Sequence, residues 1–198
     1  MQTHGPVRLF FTGKGGAGKS TTAALTALHY ASLGLKTVLI SMDPAHNQGD
    51  IFMQRLGEKS TQVAPNLWVQ EVDEQRWMKR YLDEAEQEIS RRYNYHRAFA
   101  LNNYFKVLQH SPGMEEYALS LAFGHSLKTF WNNDILIFDM PPTALSLRFF
   151  ALPLLSLVWL EELYKLRREI YRKQEIISKV KWGRQEVETD NILQKLTT

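Results

Sequence analysis

No cysteine occurs in the 198 residues, which excludes disulfides, thiolate metal sites and a cysteine nucleophile within them. Concentrated runs of lysine or arginine are also missing: the net charge of +3 is spread along the chain, so no nucleic-acid partner is expected. The N-terminal MQTHGPVRLFFTG has too short an apolar stretch for a secretory signal, and the sequence reads as a mature cytoplasmic protein. The longest apolar run, Phe149 to Leu160 (FFALPLLSLVWL), is about half the length a bilayer requires and contains a proline, so no membrane span is expected. Internal repeats and low-complexity linkers are absent as well.

What is present is ordinary for a soluble globular chain: 44% hydrophobic and 23% charged residues, in a length that suits one α/β domain better than two. Val7 to Thr12 is a short apolar run that stops at glycines, as a buried parallel strand does. Ser20 to Leu33 is rich in alanine and leucine at helical spacing, and Gly34 follows where a C-cap glycine belongs. Lys36 to Ser41, Leu67 to Val72 and Asp134 to Asp139 read as further strands. Strands alternating with helices imply a parallel sheet with ligands at the carboxyl ends of its strands. Asp73 to His110 predicts two helices, whose Trp77, Tyr81, Tyr93, Tyr95 and Phe99 suit packing better than a ligand cage. Leu154 to Val180 predicts an amphipathic helix, with Lys165, Arg167, Arg168, Arg172 and Lys173 mixed with Glu161, Glu162, Glu169 and Glu175.

The chemistry concentrates in Gly13 to Ser20, GKGGAGKS, which fits the phosphate-loop pattern GxxxxGK[ST]. Gly13, Gly15, Gly16 and Gly18 let backbone N–H groups turn toward phosphates, and the helix starting near Lys19 adds its positive dipole end. The candidate nucleotide contacts are therefore Gly13, Lys14, Gly15, Gly16, Ala17, Gly18, Lys19, Ser20 and Thr21. Lys19 is expected to reach the β- and γ-phosphates, and Ser20 to place its hydroxyl on Mg²⁺. Asp43, just past a strand, is placed to orient or deprotonate an attacking water, or else to cap a helix before Pro44; Asn47 is a candidate γ-phosphate sensor. Asp139 ends an apolar strand as a magnesium-linked acid does. Ser20, Asp43 and Asp139 are the candidate metal-site residues.

Lys14 is not needed to build an anion nest, and it turns the motif into a family resemblance. GKGG-x-GK[ST] resembles the deviant phosphate loop of ATPases that include ParA and MinD proteins, nitrogenase iron protein and the ArsA group. SMDPAHNQGD, Ser41 to Asp50, resembles the switch I sequence DPAHN-x-x-D of the ArsA and tail-anchored-protein-targeting ATPases. DMPPTALSLRFFALP after Phe138 resembles their switch II, and SPGMEEYALSL at Ser111 their PGIDEA segment.

The resemblance implies a P-loop NTPase with a mostly parallel sheet flanked by helices, and a helical subdomain in 73–132 and 150–198 of a single ATPase domain. It implies ATP and Mg²⁺ as cofactors and a homodimer in which Lys14 acts across the interface on the partner's phosphates. ATP rests on this resemblance, no guanine-reading NKxD being present. A hydrophobic transmembrane segment is the implied client, which the stretch from Phe149 to Trp159 could line; a core or dimer contact is the alternative. The alternative functions are the energy-coupling subunit of an arsenite-type anion transporter and a nucleotide-binding switch or scaffold with little turnover. Two departures bear on these. Ala144, Leu145 and Ser146 replace the family's Gly-His-Thr, and the arsenite- and zinc-binding cysteines of relatives have no counterpart. Because relatives continue into strands that read the base, the chain is also expected to be incomplete beyond Thr198.

Overall fold

In the computed structural model, residues 5–92 and 111–182 are described. Strands β1 (Val7–Phe11), β2 (Thr37–Ser41), β3 (Thr61–Ala64), β4 (Leu67–Glu71) and β5 (Ile135–Asp139) form one sheet in the order β1-β5-β2-β4-β3. The first four in that order run parallel, and β3 is antiparallel to β4. The β-branched and apolar residues of β2 and β5 are buried at every position, because these strands have neighbours on both sides and layers on both faces.

Two expectations change here. β1 was expected as a buried strand but lies at a sheet edge among the described residues, leaving Val7 and Phe10 exposed. β3 was not expected: its TQVA is too short and too polar to show a period, and it pairs with β4 as a local hairpin across the Pro65-Asn66 turn. Asn66 takes a positive φ of 61° there, a conformation that asparagine tolerates.

Helix α1 (Lys19–Ser32) covers one face through Ala23, Ala24, Ala27 and Ala31, whose small side chains bring its axis close to Leu39, Val69 and Ile137. It ends as the sequence predicts, with Gly34 at φ 84° donating its N–H to the Ala31 carbonyl at 3.0 Å. The five-residue α2 (Gln48–Phe52) follows β2. On the other face, alternate strand residues Val38, Ile40, Leu136 and Phe138 meet Leu119 and Ala122 of α4 (Met114–Thr129) and Phe149 of α5 (Thr143–Trp182). Phe138 stacks on Phe10 at 5.1 Å between ring centroids and touches Phe123 at 4.9 Å. Helix α3 (Glu74–Arg92) packs on α4 through Met78, Leu82 and Ala118. Trp77 and Tyr81 are packing residues as expected, against His125 and Tyr117. The second helix expected before His110, with Tyr93, Tyr95 and Phe99, lies outside the described residues.

By its contacts the chain divides into Met1–Phe150 and Ala151–Thr198. In the second unit, α5 runs through Pro153, whose missing N–H leaves the carbonyl four residues earlier without its helical donor. The expected amphipathic helix is not what forms over its first turns. Leu154, Leu155, Leu157, Val158, Trp159 and Leu160 are all exposed and point around the whole helix circumference, and charged residues begin only at Glu161. By length and composition alone the stretch Thr143–Lys173 is long and apolar enough to cross a membrane, a longer segment than the Phe149 to Leu160 run. Helical continuity makes the difference, because it joins Thr143–Arg148 and the turns beyond Leu160 to that run.

Candidate functional site

The parallel register sets Phe11, Asp139 and Ser41 side by side across β1, β5 and β2. Past these ends the backbones stay joined: Met140 N–H donates to the Phe11 carbonyl at 3.0 Å, and Met42 N–H to the Asp139 carbonyl at 2.8 Å. The glycine loop, Asp43 and Asp139 therefore share one edge of the sheet, although 120 residues separate Lys19 from Asp139.

Between β1 and α1 the glycine loop needs its glycines at two places in particular. Gly16 and Gly18 have φ of 75° and 81°, where a side chain strains the backbone. Gly18 is also the N-cap of α1, whose first turn carries no acidic residue to occupy its free N–H groups. A cleft of about 510 Å³ opens here, lined by Gly15, Gly16, Gly18, Lys19, Ser20, Thr21, Asp43 and Asn47 of the expected residues. A Cβ at Gly13 would lie 3.5 Å from the Lys19 side chain, Ala17 donates its N–H to the Lys14 carbonyl at 3.2 Å, and the Lys14 side chain is exposed outside the cleft lining.

Within the cleft Lys19 Nζ lies 3.6 Å from Asp43 Oδ2, both side chains being more than nine-tenths buried. Asp43 Oδ1 accepts the Ala45 N–H at 3.1 Å, so the carboxylate also fastens its own turn; the alternative expectation that it caps a helix is not met, because the next helix starts at Gln48 with Asn47 at its N-cap. The loop then bends at His46, whose φ of 49° is uncommon outside glycine, before Asn47 caps α2.

Three residues join this site that the sequence did not single out. Gln48, fully buried, donates its side-chain N–H groups to Asp139 Oδ2 at 2.9 Å and to the Ser20 carbonyl at 3.2 Å. Glu71, the last residue of β4, accepts the Gly49 N–H at 3.0 Å, with its other oxygen 3.9 Å from His46 Nδ1. Pro142 lines the cleft from the segment after Asp139. Glu71 carried little signal, since the sequence places it between Gln70 and Val72 inside an alternating strand rather than at the end of an apolar one; Gln48 occupies an unspecified position of the switch motif. Below the cleft, Ser146, one of the three departures from the family pattern, buries its hydroxyl on the Pro141 carbonyl. Arg148 then reaches the buried Glu116 of α4 at 2.9 Å, linking the switch II segment to the SPGMEE segment.

Ser20 and Asp43 bring oxygen atoms to the cleft wall, and behind them stands the buried Asp139, which the Ser20 hydroxyl and the Gln48 amide face and whose Oδ1 has no hydrogen-bond partner of its own among the described residues. That donor set fits a hard, hydrated cation such as Mg²⁺. Among the described residues no group of three His, Asp or Glu could hold an ion by itself, so phosphate oxygens and water would complete its shell.

Burial raises the Asp139 pKa above the usual carboxylate range, and the nearby Asp43 charge adds to this; the Ser20 hydroxyl, Gln48 amide and Lys19 act in the opposite sense. A folded-state pKa above the unfolded one means that the native protein binds the proton more tightly. The ionised form therefore costs stability, increasingly as pH rises through the window between the two values. Asp139→Asn should accordingly raise the stability of the ligand-free protein at neutral pH, with the gain shrinking as pH falls through the raised pKa. Urea midpoints of both proteins against pH check this; a gain that grows toward acid would reverse the sign.

Comparison with known proteins agrees with this geometry. The profile of the ArsA family, described as anion-transporting ATPase, matches residues 7–198. A candidate arsenical pump-driving ATPase 1 of Aquifex aeolicus is 33% identical over 174 residues, covering 83% of this chain and 42% of that protein. An ATPase ASNA1 homolog of Entamoeba histolytica is 34% identical over 165 residues, covering 80% of this chain and 50% of the relative. ATPase GET3 of Malassezia globosa is 33% identical over 148 residues, covering 73% and 42% respectively. The chain thus spans half or less of the length of these three curated relatives. The glycine loop, the Asp43 turn and Asp139 at one edge of a mostly parallel sheet flanked by helices form a P-loop NTPase fold, and with the profile match they show that the chain belongs to the ArsA ATPase family.

Proposed function

We propose that this chain is a cytoplasmic, Mg²⁺-dependent ATPase in which ATP closes a homodimer and hydrolysis reopens it, acting on a hydrophobic membrane-protein client. The observation that carries the reading is the buried contact of Lys19 with Asp43 in the glycine-loop cleft, close enough to the buried Asp139 for both charges to act on it. A lysine held by a carboxylate at 3.6 Å is a cation kept in place for a stronger anion. When phosphate oxygens take Lys19, Asp43 Oδ2 is released to accept a proton from, or orient, an attacking water, while Oδ1 stays anchored on Ala45. The backbone N–H groups of Gly13 to Thr21 and the start of α1 stabilise the phosphate charge, and Asn47 faces the same cleft as its sensor. Bound at Ser20 and Asp139, Mg²⁺ would supply charge neutralisation at the phosphates.

The exposed Lys14 is free to act outside its own cleft, and across a dimer it would stabilise transition-state charge on the partner's phosphates. The name of the Malassezia relative supports the targeting class, and the exposed apolar turns Leu154 to Leu160 supply a surface for a hydrophobic helix. In this reading residues 1–198 work as one ATPase unit. The name of the Aquifex relative favours a second reading, an ATPase subunit driving an arsenite-type anion pump. Every sulfur in this sequence belongs to methionine, so any anion contact within these residues would use other groups.

Asp43→Asn should lower single-turnover ATP hydrolysis by about 10²–10⁴-fold while leaving nucleotide affinity nearly unchanged; an unaltered hydrolysis rate would reject the role of Asp43. Lys14→Ala should still bind nucleotide but fail to dimerise on adding ATP, as read by analytical ultracentrifugation. Unchanged dimerisation and turnover would refute action in trans.

A further inference from the structure

Gln48 sits in the unspecified stretch of the switch motif, yet its side chain is fully buried against Asp139 and the Ser20 backbone. Its amide nitrogen gives one hydrogen to Asp139 Oδ2 and the other to the Ser20 carbonyl. The orientation of the amide follows from chemistry: rotated half a turn, its oxygen would face two acceptors. With both hydrogens used, Gln48 Oε1 is left as a buried acceptor without a partner among the described residues, and Asp139 Oδ1 is in the same condition. An unsatisfied buried polar group costs about 1–3 kcal/mol, so two of them on directly bonded side chains call for a shared donor.

The backbone holds this arrangement from behind. Glu71 accepts the N–H of Gly49, and a side chain at Gly49 would come within 3.1 Å of the Gln54 carbonyl, so the residue after Gln48 has little room to shift. Lys19, the nearby cation, is already held by Asp43. Water polarised by a divalent cation is a strong donor, and Mg²⁺ keeps several such waters when bound.

We infer that Gln48 Oε1, together with Asp139 Oδ1, accepts hydrogen bonds from the hydration shell of the Mg²⁺ that accompanies the nucleotide. Gln48 is thus a positioning residue for the metal, tying the switch loop to the strand acid. The inference rests on the Mg²⁺-nucleotide reading above.

Mn²⁺ replaces Mg²⁺ as the probe, titrated into the full chain saturated with ADP and followed by the electron paramagnetic resonance of free Mn²⁺. ADP affinity in excess EDTA is measured alongside. Gln48→Met keeps the length of the side chain without its polar atoms and should weaken Mn²⁺ binding about 10–100-fold, with metal-free ADP affinity unchanged. Gln48→Asn, which keeps an amide but withdraws it by one methylene, carries the same direction and is the variant to read if the methionine protein does not fold. Mn²⁺ affinity equal to the parent's overturns the inference. So does a parallel loss of metal-free ADP binding, which would make Gln48 a general scaffold residue. A parent chain that binds no ADP removes the nucleotide reading and this inference with it, a result distinct from equal Mn²⁺ affinity.

Discussion

The site depends on one buried group. Asp139 ends the strand that lies between β1 and β2, so its carboxyl group stands in the middle of the sheet's C-terminal edge with no solvent exposure. Burial there raises the free energy of its charged form, and the surroundings answer with Gln48 from α2 and with Lys19 and Ser20 from the first turn of α1. Two elements distant from β5 in sequence, the start of α1 and the start of α2, thereby converge on one carboxyl group. The convergence orders the loop that carries Asp43, because Gln48 is the fifth residue after it and its backbone is held by Glu71.

The same geometry couples the two switch segments. Asp139 is followed directly by Met140 and by the prolines from which α5 starts, while Arg148 in the second turn of that helix fastens to Glu116. A change in what Asp139 binds is therefore adjacent in the chain to the helix whose later turns expose Leu154 to Leu160. Ser146, standing where relatives are expected to carry threonine, turns its hydroxyl inward and donates it to the Pro141 carbonyl.

Much of this was legible in the sequence for a physical reason. The glycine loop is a local device: the backbone angles at Gly16 and Gly18 and the spacing to Lys19 are set by adjacent residues, so a string of eight letters defines it. β2 and β5 announce themselves as short apolar runs because both faces are covered. β3 was missed because its four residues are too short and polar to show a period, although it pairs across a two-residue turn; the edge position of β1 was not legible, since it depends on which distant strands pair with it. Gln48 was missed for the same reason: a glutamine in a polar loop looks solvated until the fold brings Asp139 to it. The continuous helix through Pro153 overrode a local breaker, and the all-round apolar exposure that follows was hidden by reading the charged half and the apolar half as one amphipathic pattern.

The central claim is that the cleft around Lys19, Asp43 and Asp139 is a Mg²⁺-nucleotide site. Equilibrium binding of a fluorescent ATP analogue to the full chain and to its Lys19→Ala variant, each with and without Mg²⁺, tests it most directly. The account predicts saturable binding by the parent that tightens on adding Mg²⁺ and is lost in the variant. Equal binding by the two proteins, or parent binding indifferent to Mg²⁺, would contradict it.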